Sequence, residues 1–225
     1  MSCQSLRNVP HQKLDLALSD LEPIEDIKKR SRLKQALHRY YEANIPVKYW
    51  NLEMKRDFTG GKDLLVYYDD ITKDILAIYK RGIAICFAGS FGVGKTMLAT
   101  NILKRALEKG FSGLYVNLND IISAMKSHEQ FQARQELLQT DFLIIDEFDP
   151  RYMSSQASSD FYGRTLEDIL RNRTQNKLPI IMCTNSPNPN LSFEGSLQQS
   201  ISSLFNLVDL VPFLGEDYRP KEGIS

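Results

Sequence analysis

Several things are scarce in this chain, and each scarcity excludes something. No stretch of about 18 apolar residues occurs, so no segment is built to span a membrane as a helix. Met1 to Pro10 is polar and lacks the apolar core of a secretory leader. Charge of one sign is missing too: 28 Lys and Arg balance 28 Asp and Glu, so no global field points to nucleic acid or lipid, and such binding has to come from local patches. Cysteine is limited to Cys3, Cys86 and Cys183, far apart and without metal-ligand spacing. Cys86 and Cys183 sit inside apolar runs and read as small core residues of a protein in a reducing, cytosolic compartment. Internal repeats are absent.

What is present is ordinary globular material, 42% hydrophobic and 25% charged over 225 residues, enough for one domain with an appendage or for two small domains. The pattern changes near residues 45 to 60, which divides the chain into a helical segment, 1–45, and a larger domain, 46–225. Before the division no run resembles a buried strand. Pro23 to Ala43 is predicted as one helix, with Ile24, Ile27, Leu33 and Leu37 at helical spacings. It carries Lys28, Lys29, Arg30, Arg32, Lys34 and Arg39 with no acid among them. That run is either a solvated face or a docking surface for an acidic protein or for phosphates. Ala43 to Lys62 reads as a connection and Asp69 to Arg81 as a helix.

From Ile83 onward, apolar runs and amphipathic stretches alternate. Strands are predicted at Ile83–Ala88, Leu114–Leu118, Phe142–Ile145, Ile180–Thr184 and Val208–Val211. Helices are predicted at Lys95–Lys109, Asp120–Lys126, Gln130–Leu138, Asp160–Arg173 and Leu197–Leu204. This rhythm predicts a parallel sheet covered on both faces.

Between the first of these strands and its helix lies Gly89-Ser90-Phe91-Gly92-Val93-Gly94-Lys95-Thr96, a full match to G-x-x-x-x-G-K-[ST]. Glycines let the backbone curl so that its N–H groups wrap a phosphate chain, and the helix that follows aims its positive end at the anion. Lys95 is then expected on the β- and γ-phosphates and Thr96 on Mg²⁺, which identifies ATP and magnesium as the ligands. About 50 residues on, Phe142-Leu143-Ile144-Ile145 ends in Asp146 and Glu147. A parallel strand delivers its last residues to the edge where ligands bind, so Asp146 is expected on the metal and Glu147 on the attacking water, with Asp149 as a weaker alternative base. Asn185 closes the next strand, where it either orients water or the γ-phosphate or simply makes the turn before Pro187.

With loop, acidic strand and terminal Asn in this order, the chain resembles AAA+ ATPases, and more narrowly the DnaC/DnaI helicase loaders and the related IstB transposition ATPases. Ala43-Asn44-Ile45-Pro46, Ile169 to Arg173, Leu178 to Asn185 and Gly215 to Arg219 carry the narrower resemblance. It implies an αβα sandwich with a five-stranded parallel sheet, ATP-dependent self-association, an N-terminal segment that grips a replicative ring helicase, and a core that contacts single-stranded DNA. It also implies that Arg219 approaches the nucleotide, from its own or a neighbouring subunit. One departure stands out: from Thr174 to Tyr218 there is no arginine, and Ser200 to Leu204 lies where a finger for a neighbour's ATP is expected. Slow turnover, or activation by a partner's arginine, follows; Arg171 and Arg173 are the substitutes nearest in sequence. For DNA, the polar loop Arg151 to Gly163, with Tyr152, Phe161 and Tyr162, has the aromatic content of single-strand binders and equally that of a surface loop. Lys126 and His128 suggest a second contact. A transposase regulator and a non-hydrolysing, ATP-switched adaptor are the competing functional readings.

Overall fold

The computed structural model describes residues 6–149, 156–186, 208–213 and 217. Its centre is a parallel sheet of β1 (Ala84–Gly89), β2 (Gly113–Asn117), β3 (Phe142–Asp146), β4 (Ile180–Thr184) and β5 (Asp209–Phe213), in the order β2-β3-β4-β1-β5. The pairing is in simple register, with Ala84 opposite Ile180 and Gly113 opposite Phe142. Strands β1, β3 and β4 are buried nearly end to end, as their unbroken apolar runs require of strands covered on both faces. Alternate residues feed two cores. Cys86, Ile145 and Met182 point to one, and Phe87, Ile144 and Cys183 to the other.

The first core is closed by α7 (Leu118–Lys126), α8 (Gln130–Gln139) and α9 (Gln156–Gln175) through Ile121, Leu137 and Ile169. The second is closed by α6 (Lys95–Glu108), which buries Leu98, Ala99, Ile102, Leu103 and Ala106. This helix ends in a Schellman turn at Gly110 (φ 90°), where Phe111 N–H donates to Ala106 and Gly110 N–H to Leu107. The predicted strands and the helices within 84–186 are therefore all present. The helix expected at Leu197–Leu204 lies outside the described residues.

Ahead of the sheet the structure departs from expectation. The single helix predicted over Asp69–Arg81 is two: α4 (Lys62–Lys73) and α5 (Ile75–Arg81). Asp74 breaks them apart because its carboxylate accepts the Ala77 N–H at 2.9 Å, an N-cap that overrides a continuous apolar periodicity. The helix predicted from Pro23 is α2 (Ile27–Glu42), started by Asp26, which accepts the Lys29 N–H. It is preceded by α1 (His11–Ser19), which the sequence pattern did not suggest. The stretch read as a connection holds a 3-10 turn at Val47–Tyr49 and α3 (Met54–Asp57). Leu14 of α1 and Leu37 and Tyr40 of α2 join the core beneath α6. The connection is pinned to α6 by Lys104, whose buried ammonium donates to the carbonyls of Trp50 (3.0 Å) and Leu52 (2.7 Å).

Candidate functional site

The strand ends converge on one cavity of about 800 Å³, a size suited to a small-molecule ligand. Its floor is the loop between β1 and α6. Gly94 caps α6 with φ 94° and Gly92 has φ 76°, backbone geometry that a side chain would strain. Space is short as well: a Cβ on Gly94 would meet the Phe58 ring, and one on Gly92 the Asp217 carboxylate. The amides of this loop and the N-terminus of α6 thus form a cradle that only glycine permits. Ser90 and Phe91 stand at its exposed rim, and Val93 is buried beneath it.

Lys95 is 7% exposed, and its ammonium donates to the carbonyls of Gly89 (2.9 Å) and Ser90 (2.6 Å). Burial lowers its pKa below the usual lysine value, while Cys183 and Asp146 act in the opposite direction. At the next residue, the Thr96 hydroxyl donates to Asp146 Oδ2 at 2.9 Å, joining the loop to the end of β3. Asp146 is nearly saturated: Oδ2 also accepts the Tyr115 hydroxyl at 2.6 Å, and Oδ1 accepts the Glu147 N–H at 2.8 Å. A hydroxyl and a carboxylate side by side, above a phosphate cradle, are the hard oxygen donors that suit Mg²⁺, which takes few protein ligands and completes its shell with phosphate and water.

After Asp146 the chain turns sharply. Glu147 adopts φ 51°, and the Phe148 N–H donates to Cys183 O at 2.8 Å. This turn leaves Glu147 exposed on the cavity wall and buries Asp149, which does not line it. Asn185, one residue past β4, lines the same cavity. The structure thus gathers Gly89 to Thr96, Asp146, Glu147 and Asn185 at one edge of the sheet. Arg219 and Tyr152 lie outside the described residues, whereas Phe161 and Tyr162, expected in a polar loop, lie within α9, which begins at Gln156. Neither substitute arginine faces the cavity: Arg171 pairs with Glu167 on its own helix, and Arg173 is fully buried.

Three contributors were missed from sequence. Tyr115 reads as a core aromatic within an apolar strand, and only its position in the sheet shows that the hydroxyl meets Asp146. The upper walls come from Asn8 to Lys13 and from Pro46 to Phe58, both distant in sequence from the loop. The sequence signal for the second is Ala43-Asn44-Ile45-Pro46, one of the stretches that carry the family resemblance. Burial and the adjacent Asp146 carboxylate hold the Tyr115 pKa far above its usual value, so the hydroxyl stays a donor.

A parallel sheet in this strand order, with a phosphate loop after β1 and an Asp-Glu pair closing β3, is the fold of AAA+ P-loop NTPases. The model of the AAA family, the ATPase family associated with various cellular activities, matches residues 85–194. Over 106 residues the chain is 33% identical to the replicative helicase loader DnaC of Escherichia coli (strain K12), covering 44% of this chain and 41% of that protein. It is 27% identical over 128 residues to the replicative helicase loader DnaI of Bacillus subtilis (strain 168), covering 54% of this chain and 40% of that protein. The aligned part is thus about two fifths of each curated relative's length. Among solved structures, a crystal structure of DnaI superposes with TM-score 0.64 at 18% identity, covering 78% of this chain and 94% of that one. A crystal structure of the DnaC helicase loader does so with TM-score 0.57 at 21% identity, covering 74% and 99%.

Proposed function

We propose that the protein binds ATP with Mg²⁺, hydrolyses it slowly, and loads a replicative ring helicase onto single-stranded DNA. The observation that carries the nucleotide part is the Thr96–Asp146 contact at the mouth of the glycine cradle. The loop amides and the α6 N-terminus hold the phosphates, and Lys95 exchanges its two carbonyl partners for the β- and γ-oxygens. Thr96 and Asp146 would hold the metal, which when bound would supply positive charge to the phosphates. Glu147 accepts a proton from the attacking water, Asn185 orients that water or the γ-phosphate, and Arg219 supplies positive charge from its own or a neighbouring subunit.

The loader reading is preferred over a transposase regulator because the similar curated proteins are replicative helicase loaders. Glu147 on the cavity wall favours hydrolysis over a purely structural use of ATP. In this reading residues 1–45 grip the helicase. The exposed Lys28, Lys29 and Arg32 of α2 offer an acidic partner a free basic face, whereas Arg30 and Lys34 are occupied by Glu22. Nucleotide-dependent self-association, direct contact with single-stranded DNA and a cytosolic setting complete the proposal.

The test is native mass measurement of the protein mixed with a replicative ring helicase, with and without ATP, and separately with a transposase. A complex with the helicase alone is expected. Binding to the transposase alone, or an ATP affinity indifferent to Lys95→Ala, would overturn the reading.

A further inference from the structure

Strand β2 lies at the edge of the sheet, and its outer side is occupied by residues from the beginning of the chain. Tyr115 N–H donates to Ala43 O at 2.8 Å, and Tyr115 O accepts from Asn44 Nδ2 at 2.9 Å. Asn44 is 2% exposed, and its side chain uses every hydrogen-bonding capacity it has. Besides Tyr115, Nδ2 donates to Leu6 O at 2.9 Å, and Oδ1 accepts the N–H groups of Asn8 (2.9 Å) and Val9 (3.3 Å). Its φ of 55° is one that Asn tolerates better than most residues. A second link runs from Asn8 Nδ2 to Asp120 Oδ2 (2.6 Å), the oxygen that also accepts the Asn117 N–H. Asn8, Val9, Pro10 and Lys13 form a wall of the nucleotide cavity.

One residue therefore touches both systems. The Tyr115 side chain bonds the carboxylate opposite Thr96, and the Tyr115 backbone bonds the residue that organises the wall. We infer that Tyr115 is a positioning residue for Asp146 and that, through Asn44, it makes the metal site and the wall of residues 8–13 a single mechanical unit. Metal and nucleotide then tighten the N-terminal wall, and by reciprocity a docked wall strengthens metal-nucleotide binding. This inference rests on the nucleotide reading of the site.

Tyr115→Phe removes one oxygen and keeps the ring in the core. Binding of a fluorescent ATP analogue is measured in EDTA and across a Mg²⁺ titration. The expected result is a Mg²⁺ half-saturation raised about tenfold, in the range typical when a group orienting a metal ligand is lost, with metal-free affinity within about twofold of wild type. Hydrogen exchange supplies the second readout. Adding Mg²⁺ with nucleotide should protect the Asn8 and Val9 amides in the wild type, and Tyr115→Phe should abolish that gain. Equal weakening with and without Mg²⁺ would show mere packing and overturn the inference. So would an unchanged Mg²⁺ dependence, or a variant that keeps the full protection gain. A wild-type protein that binds no nucleotide at all would remove the underlying reading and this inference with it, an outcome distinct from any defect confined to the variant.

Discussion

Arg173 reaches from α9 to the carbonyl of Leu137 at the end of α8, donating a hydrogen bond of 2.8 Å from full burial. The same guanidinium serves Thr140 O (2.8 Å), Asp141 O (3.1 Å) and Pro179 O (2.8 Å), so one cation satisfies carbonyls at the end of α8 and before both β3 and β4. Burial lowers its pKa to about 10, which still leaves it charged at neutral pH.

Arg173→Ala should accordingly be a folding mutation. It strands four carbonyl bonds, and a loss of roughly 3 to 5 kcal/mol is expected, as for a buried polar network deprived of one partner. Urea unfolding checks this. Arg171→Ala, which removes only an exposed pair within one helix, should change stability by less than about 0.5 kcal/mol.

Lys104 offers a pH test. Its ammonium is held by two carbonyls, and burial lowers its pKa from the ordinary 10.5, with Glu53 opposing. A lowered folded-state value means that, just below 10.5, the unfolded chain binds more protons than the native one, so this group's contribution to stability rises with pH. The stability difference between wild type and Lys104→Met should be larger at pH 10 than at pH 7. Paired denaturant titrations at the two pH values measure it, and a difference that shrinks would contradict the assignment.

Glu147→Gln should separate binding from chemistry. The side chain lines the cavity, while Lys95 and Thr96 hydrogen-bond to Gly89, Ser90 and Asp146 rather than to it. Nucleotide affinity should stay within about threefold of wild type, whereas single-turnover hydrolysis should fall by about 10² to 10⁴, the usual contribution of a general base.

Steady-state hydrolysis by the pure protein should be slow. Arg173 is buried and held by four carbonyls, and neither it nor Arg171 lines the nucleotide cavity, so neither completes the site of its own subunit. A finger supplied by another protein is worth about 10³ to 10⁵ in rate, which sets the stimulation expected from the right partner. Vigorous, concentration-dependent turnover that survives Arg219→Ala would refute this.

The sheet and the phosphate end of the site were legible in the sequence because their signals are local. Strands buried on both faces announce themselves as unbroken apolar runs, and the glycine loop is one contiguous pattern. The remainder was hidden for two physical reasons. At Asp74 a single side-chain cap outweighed periodicity, and no count of apolar spacings registers such a bond. At Tyr115 and Asn44 the relevant partners are 31 and 71 residues away, so their roles exist only once the strands have assembled.

The pairing of Tyr115 with Ala43 and Asn44 has a further consequence for how copies of this protein meet. An outer strand with vacant amides is a template for strand addition by another chain, and here the molecule's own leading residues take that place. At Tyr115 that flank therefore has no vacant backbone group from which the sheet could grow into a neighbouring subunit.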